Sequence, residues 1–218
     1  IRTTANLVFG LMDRSISLTK ASDLYFFISL SGISIQAGSV LTSIPMAFWA
    51  LLGLTFNTRL SGMMGRALAP TGAICAFLSL WTGALWGKPM WGAWWVWDAR
   101  LTSELILFFL YLGYIALTSA IDDPRRADKA GGILALVGAL NVPVIYFSVK
   151  WWNTLHQGAS VSLSKAPAMA QTMLWGMLLM ALCFWAYSIA VALMRVRVII
   201  LEREAHADWV RQLDEVKS

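Results

Sequence analysis

The sequence is poor in charge. Only 13% of its 218 residues are Asp, Glu, Lys or Arg, whereas 58% are hydrophobic, and the mean hydropathy is +0.65. A soluble domain of this length needs a charged surface, so that class is excluded. Cysteine is scarce as well. Cys75 and Cys183 lie far apart, each inside an apolar run, which reads as two buried apolar thiols rather than a disulfide or metal pair. Histidine occurs only at 156 and 206, and no nucleophile–base pair or metal-ligand cluster stands out. No N-terminal stretch joins a short apolar core to a small-residue cleavage site, so no cleaved signal peptide is expected. The net charge of +5 does not point to nucleic acid, because the basic residues sit in short segments between apolar runs.

Apolar length is what the sequence has in abundance. Four runs of spanning length are clear, at about 68–87, 101–121, 130–149 and 173–194, and a fifth covers about 36–56. Backbone groups in hydrocarbon must be bonded within the segment, so each run is expected to be helical. Pro45, Pro70 and Pro143 are compatible with this, since packed membrane helices tolerate proline. Before residue 36 the patch LYFFISL (24–30) is interrupted by Arg14, Lys20 and Asp23, and it reads as an uncertain further span or an interfacial helix. The fold expected is therefore all-α: one integral membrane domain over 1–218, a polytopic bundle of five clear spans plus that uncertain N-terminal one.

Alternating five spans divides the connections into two sets. Segments 57–67, 122–129 and 195–218 hold ten basic residues, against four (Lys88, Arg100, Lys150 and Lys165) in 88–100 and 150–171. Basic loops stay cytoplasmic, so the first set is placed inside and the second outside. The inside set includes the tail 195–218, which mixes apolar residues with charges of both signs. It reads as a solvated or interfacial helix, or as a docking segment for a cytoplasmic partner.

The outward segments hold the unusual residues. In WGKPMWGAWWVWDARLTSE (86–104) five of the chain's twelve tryptophans, Trp86, Trp91, Trp94, Trp95 and Trp97, fall within nineteen residues. Interfacial belts account for one or two indoles at a span end. Five beside Gly87, Pro89 and Gly92 are expected to make a flat aromatic shelf, suited to a large planar apolar ligand. Asp98 is placed to cap the next helix. Arg100 is placed either to pair with a ligand carboxylate or to serve locally. Glu104 lies one turn deeper, where an acid needs a partner unless it stays close enough to the surface to remain wet. The second outward segment, KWWNTLHQG (150–158), puts Trp151 and Trp152 beside His156 on the same side. A neutral imidazole is the usual protein ligand of heme iron, although a lone histidine also serves as a surface hydrogen-bonding group. His206, in the charged tail, reads as plain surface.

Residues 86–104 resemble the WWD signature of heme-handling membrane proteins. Together with ILFFLYLGYIAL (106–117), IDDPRR (121–126), VPVIYFSVKWWNTLHQG (142–158) and the last span, they make about 57–200 resemble the heme exporter protein C family, CcmC, of bacterial cytochrome c maturation. The resemblance implies a helical protein of the bacterial inner membrane. Heme b would be held at the periplasmic face on the WWD segment, with two flanking-loop histidines as axial ligands. It implies work beside the ABC transporter subunits CcmA and CcmB and the small protein CcmD, with heme passed to the chaperone CcmE. Membrane lipid is the surroundings, and no nucleic acid is involved. Carried over residue by residue, His156 in the outer loop 150–171 is the second of those histidines and the axial iron ligand. Trp86, Trp91, Trp94, Trp95, Trp97, Asp98 and Arg100 form the shelf, with Trp151 and Trp152 beside it.

One departure stands out. The family places its first histidine in a His-Val-Pro-like segment at the outer start of its second span, and the nearest equivalent here is Ser43-Ile44-Pro45. Met46, Met90, water or a ligand from the chaperone are the alternatives for a second axial position. The function expected is heme binding and transfer, not enzymatic catalysis. Three readings stand beside it: a heme-lyase-like subunit aiding covalent attachment to the chaperone, a solute conduit, and a variant impaired by loss of the first histidine. A conduit would call for ionisable residues along several spans, and apart from Glu104 and Asn141 there are few.

Overall fold

Five long α-helices carry nearly all of the described chain. The computed structural model describes residues 21–152 and 171–204, with side chains from residue 32 onward. The helices are α1 (Ala21–Phe56), α2 (Arg59–Trp91), α3 (Ala99–Ala120), α4 (Pro124–Trp151) and α5 (Gln171–Arg203). All five are long and apolar enough to cross a membrane, and no strand occurs among the described residues. The expected polytopic all-α bundle is therefore the fold observed.

The helices overrun the apolar stretches that announce them. α1 has 36 residues, about 54 Å at 1.5 Å per residue, against about 30 Å of hydrocarbon. The patch 24–30 is thus the first part of α1, continuous with the 36–56 run, and not a separate helix. Asp23, which interrupts the apolar pattern, sits in the first turn of α1. Pro45, Pro70, Pro89 and Pro143 all lie inside helices. At the other end of the chain Arg195 and Arg197 belong to α5, which runs unbroken to Arg203. The rest of the tail, from 205, lies outside the described residues.

Turns are short and locally specified. Asn57 adopts a left-handed φ of 52° and donates its N–H to Gly53 O at 3.0 Å, closing α1. Asp123 caps α4, accepting from the Arg125 N–H at 2.9 Å, with Pro124 opening the helix. This is the usual chemistry of a helix start: an acceptor for a free amide, then a residue that has no amide to satisfy.

Packing relies on small residues and buried tyrosines. α1 packs most extensively on α2, and α3 on α4. Ala67, Ala69 and Ala76 of α2 are fully buried. Gly72 leaves room for the Tyr111 ring of α3, which a Cβ at that position would strike. The Tyr111 hydroxyl donates to Ser39 O of α1 at 2.8 Å. Close approach through small residues, with a few polar contacts, is how helices associate where lipid removes the hydrophobic drive between them. Both cysteines are free thiols. Cys75 is buried as expected, whereas Cys183 is exposed on α5, because α5 buries only Ser188, Ala192 and Val196.

At one end of the bundle Asp128 of α4 accepts from Arg66 of α2 at 3.2 Å and from two nitrogens of Arg203 of α5, each at 3.0 Å. Three of the basic segments grouped together by sequence therefore meet at a single carboxylate.

Candidate functional site at the indole-rich end

The other end carries the tryptophans. Trp86 and Trp91 lie in the last turns of α2, and Gly92 ends that helix in the left-handed region (φ 76°), its N–H bonded to Lys88 O. A residue with a Cβ is strained in that conformation, so glycine sets the point where the chain turns away. Residues 92–98 then cross to α3. The Trp94 and Trp97 side chains are exposed, at 56% and 76%, and Trp86, Trp91 and Trp95 are half-buried.

The indoles do not form the flat shelf expected. Trp86 meets Trp91 edge-on, with centroids 5.2 Å apart and planes at 88°, and Trp95 meets Trp97 at 5.6 Å and 80°. Edge-to-face contact is favoured over a face-to-face sandwich by the ring quadrupoles, so a dense indole segment corrugates. Lys88 Nζ lies 5.8 Å from the Trp94 ring centroid and donates to Gly92 O at 3.2 Å. Trp95 Nε1 is buried with no hydrogen-bond partner among the described residues.

Beneath this segment a polar network joins α1 to α3. Asp98 is buried and caps α3, accepting from the Arg100 N–H at 2.9 Å. An Arg100 guanidinium nitrogen donates to Gln36 Oε1 at 2.8 Å. Glu104, at 2% exposure, accepts from Ser39 Oγ at 2.7 Å and from Gln36 Nε2 at 3.5 Å. Glu104 is thus a partnered buried acid and not a wet one. The capping role expected of Asp98 is the one observed. Gln36 and Ser39 were not singled out from the sequence. Their signal is there in retrospect: two polar residues spaced i, i+3 at the head of the 36–56 run, placing them on one face of a helix.

Trp151 ends α4 and Trp152 follows it, both exposed, with ring centroids 6.0 Å apart. Phe147 stacks on Trp151 at 5.2 Å and 18°, and Lys150 Nζ lies over Phe147 at 5.5 Å. Asn141 of α4 donates to Ser103 O of α3 at 2.8 Å, which fixes the register of these two helices. Counting along the helices from that bond, Trp151 stands about 9 Å further out than the start of α3. The two indole groups therefore share one end of the bundle at different heights. His156 and His206 lie outside the described residues.

Ser43, the nearest equivalent of the family's first histidine, is not at this end. It is buried in α1 and donates to Val40 O at 2.6 Å, about 10 Å below Gln36 along the helix. Of the two methionines weighed for iron, Met46 lies deeper still and is buried, whereas Met90 is exposed beside Trp91. No group of His, Cys, Asp and Glu fit to hold a metal ion occurs among the described residues.

Fold and site define a class: a polytopic all-helical membrane protein carrying a tryptophan-rich connection over a half-buried arginine that Gln36 links to the buried Glu104. The sequence profile of CcmC, heme exporter protein C, matches residues 33–211, and the chain belongs to that family. The match begins ahead of the 57–200 stretch read from the motifs and takes in most of α1. Heme exporter protein C of Escherichia coli (strain K12) is 48% identical over 169 residues, 77% of this chain and 67% of that protein. Its counterpart in Haemophilus influenzae is 49% identical over 168 residues, 77% of this chain and 68% of that protein. That of Paracoccus denitrificans is 40% identical over 168 residues, covering 77% and 70%.

Proposed function

We propose that the chain binds heme at the indole-rich end of its helix bundle and passes it on in cytochrome c maturation. The observation that carries this reading is the pairing of exposed Trp94 and Trp97 faces with an arginine held from below by Gln36. Apolar ring surface suits a porphyrin face, and a guanidinium suits its carboxylates. The residues present fit heme, which is cargo here and not a resident catalyst. Trp86, Trp91, Trp94, Trp95, Trp97, Trp151 and Trp152 line its surface, Asp98 sets the helix start that presents Arg100, and His156 supplies the iron ligand.

The basic-residue asymmetry supports an outward placement of this surface, on the periplasmic side of the bacterial inner membrane. The family supports a place in a heme exporter complex. We assign CcmA and CcmB as transporter partners, CcmD as a small companion, and CcmE as the acceptor. The role is binding and handover, not catalysis by this chain. Ser43 and Met46 face the interior of the bundle, so they do not complete the iron coordination. The second position is left to water or a weakly held Met90 in the isolated protein, and to a group from the acceptor at handover. The test is the absorption spectrum of the detergent-purified protein loaded with heme. We expect mixed or high-spin heme, lost or shifted further in His156→Ala. A low-spin spectrum unchanged by that substitution would reject His156 as ligand.

A further inference from the structure

A cavity lies away from the indole end. It lies at the opposite, basic end, with a volume of about 640 Å³, between α1, α2, α3 and α4 and beside the end of α5. Its wall changes character with depth. Inside are Met46, Trp49 and Ala50 of α1 and Ala135 of α4; at the mouth are Arg59, Arg125 and Lys129. From Asn57 at the mouth to Met46 on the floor is about 16 Å along α1.

The mouth carries positive charge that the described residues do not neutralise. Three acids line it, Asp123, Asp128 and Glu204. Asp128 is taken by Arg66 and Arg203. Asp123 caps α4 and lies 3.5 Å from Arg126. Glu204 is likewise engaged. Arg59, Arg125 and Lys129 are exposed and have no ion-pair partner among the described residues. Residues at the N-termini of α2 and α4 line the same opening, adding the partial positive charge of two helix dipoles. The α2 cap, Thr58, makes no side-chain bond to the helix amides.

A ligand for this cavity is anionic at one end and apolar at the other. A free anion would leave the apolar floor unfilled, and a neutral lipid would leave three cations unanswered. We propose that the cavity holds one anionic phospholipid from the leaflet at the basic end. Its phosphate lies among Arg59, Arg125 and Lys129, and an acyl chain runs inward along Met46, Trp49, Ala50 and Ala135. Basic pockets between helices are where such headgroups bind, and the volume is that of a small-molecule site. The bound lipid adds a further link between α1, α2 and α4 at the end where Arg66 and Asp128 already join α2 to α4. This inference is independent of the heme reading.

The full chain, purified in a neutral maltoside, is examined by native mass spectrometry and thermal unfolding. It is presented with phosphatidylglycerol, phosphatidylcholine or inorganic phosphate. Wild type should retain one phosphatidylglycerol and unfold at a higher temperature with it, and should respond to neither of the others. The triple variant Arg59→Gln/Arg125→Gln/Lys129→Gln should retain at least tenfold less. Ala135→Phe, which fills the floor and leaves every charge in place, should lose the lipid while staying folded. Equal stabilisation by inorganic phosphate would overturn the lipid in favour of a free anion. Unchanged retention by either variant would overturn the site itself.

Discussion

Replacing Trp94 and Trp97 together by alanine tests the heme reading where the structure leaves least room for confusion. Both indoles are exposed, at 56% and 76%, so the fold loses little with them beyond the Trp95–Trp97 edge contact and the Lys88–Trp94 cation–π contact, each worth about 1 kcal/mol. Trp95 is a poorer target, because its ring is half-buried and its N–H is fully so. An indole side chain offers roughly 200 Å². A planar ligand covering one face of each ring would remove about half of what is now exposed, together about 130 Å². At about 25 cal/mol per Å² that is about 3 kcal/mol. Allowing for the area the alanines still present, the double variant should bind heme about 30- to 150-fold more weakly. The assay is a heme titration of apoprotein in detergent, read by Soret absorbance, with thermal unfolding as the folding control. A change under about threefold in a folded protein would show that these rings are an interfacial belt and not a binding surface.

Sidedness has its own test. With Cys75 and Cys183 replaced, Arg125→Cys and His156→Cys should react with a membrane-impermeant thiol reagent from opposite faces of sealed vesicles, and reaction from one face would reject the topology. Glu104→Ala removes the acceptor for Ser39 and Gln36 at a buried position, and should cost about 3 kcal/mol, seen as unfolding at lower denaturant. Glu104→Gln should restore most of it, and equal loss in both would mean that charge, not hydrogen bonding, holds the site.

Helix existence and order were legible because lipid imposes one solution on a long apolar run. The Asp98 cap was legible for the same kind of reason, being a local interaction between neighbours in sequence. What escaped was long-range. Gln36 and Arg100 lie 64 positions apart, and nothing in periodicity says which polar residue of α1 meets which of α3. Ser43 shows the same limit from the other side: a motif-like Ser-Ile-Pro suggested an outer position, yet helix length carries it to the interior. The corrugation of the indoles was hidden too, since composition gives the number of rings and not the angles between them.

The carboxylate of Asp128 has a consequence for how the protein is made. Chain order brings α2 and α4 out of the ribosome before α5, so Arg66 is available to Asp128 well before Arg203 has been synthesised. The first four helices bury most of the core, with Met46, Leu68, Leu107, Tyr111, Tyr114, Ala135 and Ile145 all among them, whereas α5 adds only Ala192 to that cluster. Assembly of α1 to α4 can therefore be complete while the last helix is still being inserted, and α5 docks onto a finished surface. The two bonds from Arg203, the last residue of α5, act as a late latch. They close only once translation has passed the final span, and they fasten that span at the end where it arrives last.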